Sequence, residues 1–135
     1  MARSSIDPLL RDVSPFSECT SRERRVLARL VTTATVPDGD VLMRQGDRDT
    51  GLVVVVSGTA TVHRDDEVIA TLSRGAVVGE MSMLVDAPRT ATVIASSPMV
   101  LATFAPGSFP GVLDDCPTLA RAVLRTAIER LAPAA

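Results

Sequence analysis

The chain contains no tryptophan, tyrosine, lysine or asparagine, and its aromatic residues are three phenylalanines, Phe16, Phe104 and Phe109. It therefore has no Trp or Tyr platform for a nucleobase or a sugar ring, and its core must come from aliphatic packing. A single histidine, His63, excludes metal sites built on two or three imidazoles and would leave Ser-His-Asp hydrolysis dependent on that one residue. The two cysteines, Cys19 and Cys116, lie far apart without CxxC spacing, so they read as thiols in a reducing compartment rather than as a disulfide framework or a nucleophile. The longest apolar run, residues 52–56, is far too short to cross a bilayer, which takes about 20 residues. The N-terminal Met1-Ala2-Arg3-Ser4-Ser5 lacks the apolar core of a signal peptide, and the expectation is a soluble cytoplasmic protein with no membrane partner.

What is present is enough for one core. With 135 residues, 46% of them hydrophobic, the chain matches a single domain spanning 1–135 and should bury about two thirds of its unfolded surface. Fourteen basic residues, all Arg, stand against 16 acidic ones, so no strongly cationic face is available to hold nucleic acid by bulk charge.

Thr20-Ser21-Arg22-Glu23 fits a capping box and predicts a helix over about 20–31, with Val26, Leu27, Leu30 and Val31 as its apolar stripe and Arg22, Arg25 and Arg29 in solvent. From residue 32 the period changes. Short β-rich runs at 33–36, 41–44, 52–56, 59–64, 67–72, 89–95 and 99–104 are separated by turns such as Pro37-Asp38-Gly39-Asp40, Gln45-Gly46-Asp47 and Asp65-Asp66. Strand spacing of roughly ten residues favours a mainly β fold with flanking helices, a sandwich or a jelly-roll β-barrel of seven or eight strands over about 32–104, rather than a parallel α/β sheet. C-terminal helices follow over about 106–132. Pro117 suits a first helical turn, and Leu119, Val123, Leu124, Ala127, Ile128 and Leu131 form the apolar face of the last helix. Pro106, Gly107, Pro110 and Gly111 predict a short or irregular helix before it.

One stretch, residues 75–93, departs from the strand pattern. Gly79 permits an unusual backbone turn, and Glu80 through Leu84 can form one helical turn whose first amides attract an anion. Asp86-Ala87-Pro88 ends that turn, and Arg89 then begins an extended segment from which its planar fork could reach two phosphate oxygens.

Gly79-Glu80 and Pro88-Arg89-Thr90-Ala91-Thr92-Val93 resemble, in residues and spacing, the phosphate-binding cassette of the cyclic-nucleotide-binding domain family. Gly46-Asp47, Ser57-Gly58 and Gly75 resemble that family's turn glycines. The resemblance spans about residues 15–131. It implies an antiparallel jelly roll and a ligand site in which Arg89 pairs with the exocyclic oxygens of a cyclic phosphate and Glu80 accepts a hydrogen bond from the ribose 2′-hydroxyl. It further implies that Gly79 and the amides around Met81, Ser82 and Met83 complete the cradle, while the Thr90 hydroxyl touches phosphate or purine. Met81 and Met83 also read as packing residues under the pocket. The base would be capped by apolar contact from Leu124, Ile128 or Leu131.

The expected function is a non-enzymatic cyclic-nucleotide sensor, with cAMP as ligand and cGMP as the alternative, no cofactor, and signalling by movement of the C-terminal helices to an unidentified protein partner. The alternative is a ligand-free domain acting as an interaction module or homodimer through its C-terminal helix. A jelly-roll metalloenzyme is disfavoured by the single histidine. Direct nucleic-acid binding is not expected, because no helix-turn-helix follows the last helix in the 135 residues.

Overall fold

Thr20 starts the first helix. Its hydroxyl accepts from the Glu23 amide at 3.1 Å, and the Glu23 carboxylate accepts from the Thr20 amide at 2.9 Å, closing the capping box the sequence predicts. The computed structural model describes residues 11–13, 15–48, 51–80, 87–105, 107 and 109–131. Helix α1 spans Ser21–Leu30 and follows a short 3-10 turn at Phe16–Glu18. Leu27 is buried, Val26 and Leu30 pack partly against the core, and Arg22, Arg25 and Arg29 are exposed. Val31 does not extend the helix stripe. It is the first residue of β1, in register with Phe104, and as the C-cap of α1 its amide still donates to the Leu27 carbonyl.

Eight strands follow: β1 Val31–Val36, β2 Val41–Met43, β3 Leu52–Ser57, β4 Ala60–Arg64, β5 Glu67–Leu72, β6 Val77–Val78, β7 Thr92–Ala95 and β8 Met99–Phe104. They form two four-stranded sheets, ordered β1-β8-β3-β6 and β2-β7-β4-β5, with every pairing antiparallel. This is the expected mainly β roll with flanking helices. The hairpin between β4 and β5 turns at Asp65 and Asp66, whose φ of 52° and 69° match the left-handed pair that a two-residue hairpin requires.

The alternation of side chains along β3 explains its unbroken apolar run. Leu52, Val54 and Val56 face the helices and join Val13, Phe16, Leu27, Phe104, Val112, Leu119 and Val123 in one buried cluster. Val55 points the other way, between the sheets, with Met43, Ala60, Val78, Val93, Ala95, Met99 and Leu101. A strand covered on both faces has no polar face to show. The Phe16 and Phe104 rings, with centroids 6.3 Å apart and planes tilted by 30°, anchor the helix-facing cluster.

Helix α2, Phe109–Asp115, is short as expected, with Pro110 and Gly111 in its first turn. Helix α3 spans Pro117–Leu131. Its apolar face is not one core surface. Leu119, Val123 and Ala127 are buried, whereas Leu124 and Ile128 are 40% and 66% exposed on the neighbouring stripe. The Leu131 side chain lies outside the described residues. Among the described residues no helix is long and apolar enough to cross a membrane.

Glu23, 8% exposed, does more than cap α1. It also accepts from the Thr118 amide at 3.1 Å and the Thr118 hydroxyl at 2.9 Å. Burial pushes its carboxyl upward, but the hydrogen bonds from Thr20 and Thr118 outweigh this and hold it below the ordinary value of 4.5. A depressed folded value means the contribution is present above the unfolded pKa and lost as pH falls through the folded one. Urea midpoints should therefore drop on acidification below roughly pH 5, and Glu23→Gln should flatten part of that slope. An identical slope in the variant would contradict the assignment.

Cys19 and Cys116 are free and buried. Burial first, and then the Glu23 charge, pushes their thiols up to about 12 and about 11. Both stay protonated near neutrality, which makes them poor nucleophiles. His63 is half-buried, with Nε2 2.8 Å from the Thr61 hydroxyl.

Candidate functional site

The segment leading into β7 is not a strand at residues 89–91, contrary to the sequence reading. Its backbone pairs instead with the turn after β2: the Arg89 amide donates to the Asp47 carbonyl at 2.7 Å, and the Gly46 amide donates to the Arg89 carbonyl at 2.9 Å. The Gln45 amide donates to the Thr92 hydroxyl at 2.9 Å. These bonds fix where the Arg89 side chain starts.

That side chain runs inward and is 5% exposed. Nη1 donates to the Gly79 carbonyl at 3.2 Å and Nη2 to the Gly51 carbonyl at 2.8 Å. The guanidinium fork thus clasps two loops, the one entering β3 and the one leaving β6. Gly79 has φ of +93°, and a Cβ there would lie 2.5 Å from Arg89 Nη1, 2.7 Å from the Gly51 carbonyl oxygen and 3.0 Å from Met43 Cε. Only glycine meets both requirements, the left-handed backbone and the close approach.

The next residue, Glu80, is fully buried. A carboxylate so placed requires compensating partners, and it follows directly the residue whose carbonyl takes the arginine's Nη1 bond. Thr90 is exposed, and its carbonyl accepts from Arg64 Nε at 3.2 Å. Of the residues expected at the site, Gly79, Glu80, Arg89 and Thr90 are therefore drawn together by one cluster of loops. Met81, Ser82 and Met83 lie outside the described residues.

Several supporting groups were not singled out from the sequence as site residues. Gly51 and Asp47 act through main-chain carbonyls, which every residue has, so no side-chain pattern announces them. Gln45 braces the turn after β2 against the β4–β5 hairpin: its side chain donates to Asp65 Oδ1 and accepts from the Asp65 amide, both at 3.0 Å. Strand β6 was also missed. Its two residues owe their strand character to pairing with Val53 and Val54 of β3.

This arrangement can hold an anion. A buried guanidinium on a braced backbone offers planar N–H groups, and a carboxylate in the adjoining segment offers acceptors for hydroxyl donors. Each Nη carries two hydrogens, so one nitrogen can serve a carbonyl and a ligand oxygen together.

Comparison with known proteins bears on the family of the fold. The family model described as the cyclic nucleotide-binding domain matches residues 33–116. A cAMP-dependent protein kinase regulatory subunit from Yarrowia lipolytica is 35% identical over 113 residues, covering 82% of this chain and 30% of that protein. A cGMP-dependent protein kinase from Plasmodium berghei is 34% identical over 93 residues, covering 69% of this chain and 10% of the other. The chain thus spans under a third of the length of these relatives. Among solved structures, the regulatory subunit of a cAMP-independent protein kinase A from Trypanosoma brucei superimposes with a TM-score of 0.80 at 19% identity, covering 93% of this chain and 46% of that one. That likeness is of fold alone. The match over residues 33–116, the two-sheet roll and the clasp of Arg89 on Gly79 lead to one conclusion: the chain belongs to the cyclic nucleotide-binding domain family.

Proposed function

We propose that this domain is a non-catalytic cAMP sensor whose ligand sits between Gly79-Glu80 and Arg89 and whose occupancy is passed on by movement of α2 and α3. The observation that carries the reading is the convergence of a buried arginine, a buried glutamate and a glycine with no room for a side chain on one braced loop cluster. Arg89 serves the cyclic phosphate, and Glu80 accepts from the ribose 2′-hydroxyl. Charge-assisted hydrogen bonds contribute about 1.5 to 3 kcal/mol each, so a few of them supply much of the roughly 8 kcal/mol of a micromolar complex. cAMP is preferred to cGMP because the Yarrowia relative is named for cAMP and matches more of the chain. The partner that receives the signal is another protein, since a net charge of −2 gives no bulk attraction to nucleic acid.

Isothermal titration calorimetry tests this directly. One cAMP per chain should bind with micromolar affinity or better, and cGMP more weakly. No heat from either nucleotide at millimolar concentration would overturn the proposal.

The exposure of Leu124 and Ile128 supports a second reading, a domain that works by self-association through α3. Sedimentation distinguishes them: a dimer indifferent to nucleotide favours association, and a monomer that binds cAMP favours the sensor.

A further inference from the structure

Glu23 lies outside the loop cluster of Gly79, Glu80 and Arg89, yet its carboxylate accepts three hydrogen bonds. Oε1 accepts from the Thr20 amide and the Thr118 hydroxyl, each at 2.9 Å, and Oε2 accepts from the Thr118 amide at 3.1 Å. Thr20 caps α1. Thr118 lies in the first turn of α3, where an amide has no acceptor within its own helix and Pro117 before it has no N–H.

One carboxylate therefore closes the starts of two helices, reaching from Glu23 to Thr118 across 95 positions of sequence. Both helices turn the positive ends of their dipoles toward it. The Cys116 thiol adds a contact to the Glu23 carbonyl at 3.7 Å. Apolar packing alone would let the two helix starts slide, because the hydrophobic effect has no direction. A buried carboxylate with three bonds admits one geometry, and losing any bond leaves a desolvated polar group.

We propose that Glu23 is a positioning residue that makes the first turn of α1 and the first turn of α3 one mechanical body, so that displacement of the C-terminal helices is transmitted to the N-terminal helix. The link to nucleotide occupancy rests on the cAMP reading above. The existence of the joined body does not.

Hydrogen exchange read by mass spectrometry on the full chain separates the two. Without nucleotide, Glu23→Gln and Thr118→Val should each raise exchange in segments 20–24 and 117–121 together, by about tenfold, with β3 and β8 unchanged. Thr118→Ser keeps amide and hydroxyl and should restore wild-type rates. The informative variant is Thr118→Val, because a change on α3 is expected to loosen the start of α1. Unchanged exchange in 20–24 in that variant, or in 117–121 in Glu23→Gln, overturns the proposal.

With saturating cAMP, wild-type protection should change in both segments, whereas in Thr118→Val the change should stay within α2, α3 and the Arg89 loop. A response of α1 that persists in Thr118→Val contradicts transmission through Glu23. Absence of any cAMP response at residues 87–95 in the wild type would refute the ligand reading, and the nucleotide-free rates would still decide the joined body.

Discussion

Arg89→Ala should weaken cAMP binding by at least about tenfold, or 1.4 kcal/mol, and should also destabilise the nucleotide-free domain. The two effects have different origins. The lost affinity comes from removing the charged fork that serves the phosphate. The lost stability comes from the Gly79 and Gly51 carbonyls, which give up hydrogen bonds of 3.2 and 2.8 Å to a charged group in a partly buried setting. Leaving such acceptors unsatisfied costs about 1 to 3 kcal/mol each. Urea denaturation without ligand measures the second effect, and calorimetry on the folded variant measures the first. Arg89→Lys keeps the charge but not the planar fork, so it should fall between wild type and Ala in both. Affinity of Arg89→Ala within twofold of wild type would remove this residue from the site.

Gly79→Ala is expected to be as damaging although it adds one methyl group. The left-handed backbone costs a non-glycine residue about 1 to 2 kcal/mol. The added Cβ would also sit 2.5 Å from Arg89 Nη1 and 2.7 Å from the Gly51 carbonyl oxygen, closer than such atoms approach. Relief requires the guanidinium to leave its two carbonyls, so backbone strain and loss of the clasp arrive together. The combined loss should be roughly 2 to 4 kcal/mol in chemical denaturation, with weakened cAMP binding in whatever fraction stays folded. A variant with wild-type stability would show that the close approach of Arg89 to Gly79 does not exist in solution.

The signals that could be read from the residues alone are the local ones. Thr20 and Glu23 are three positions apart, so the start of α1 is written in adjacent turns of one helix. The apolar runs of β3 and β8 mark strands whatever they pair with. Strand β6 escaped notice because two valines between glycines carry no periodicity, and only their pairing with β3 makes them a strand. Residues 89–91 were read as β because the residues suit a strand. Their backbone is instead engaged by the turn at Gly46 and Asp47, a partner more than forty positions away that no local propensity encodes.

The candidate site shows the same division. The spacing of Gly79-Glu80 and Arg89 was visible, but only through resemblance to a known cassette, and it did not reveal that the fork would rest on the Gly51 carbonyl. Likewise the apolar positions of α3 were visible as one face. The fold divides them, covering Leu119, Val123 and Ala127 and leaving Leu124 and Ile128 outside. Nothing near Glu23 in the sequence announces Thr118, so its second set of bonds appeared only with the packing of α3 against α1.

The most direct test of the sensor assignment is an amide chemical-shift titration of the labelled domain with cAMP, with 5′-AMP as control. The account predicts saturable shifts of the Gly79, Glu80, Arg89 and Thr90 amides and of the Arg89 Nε–H with cAMP, and none with 5′-AMP at the same concentrations. Shifts confined to α3, or no shifts with millimolar cAMP or cGMP, would contradict it.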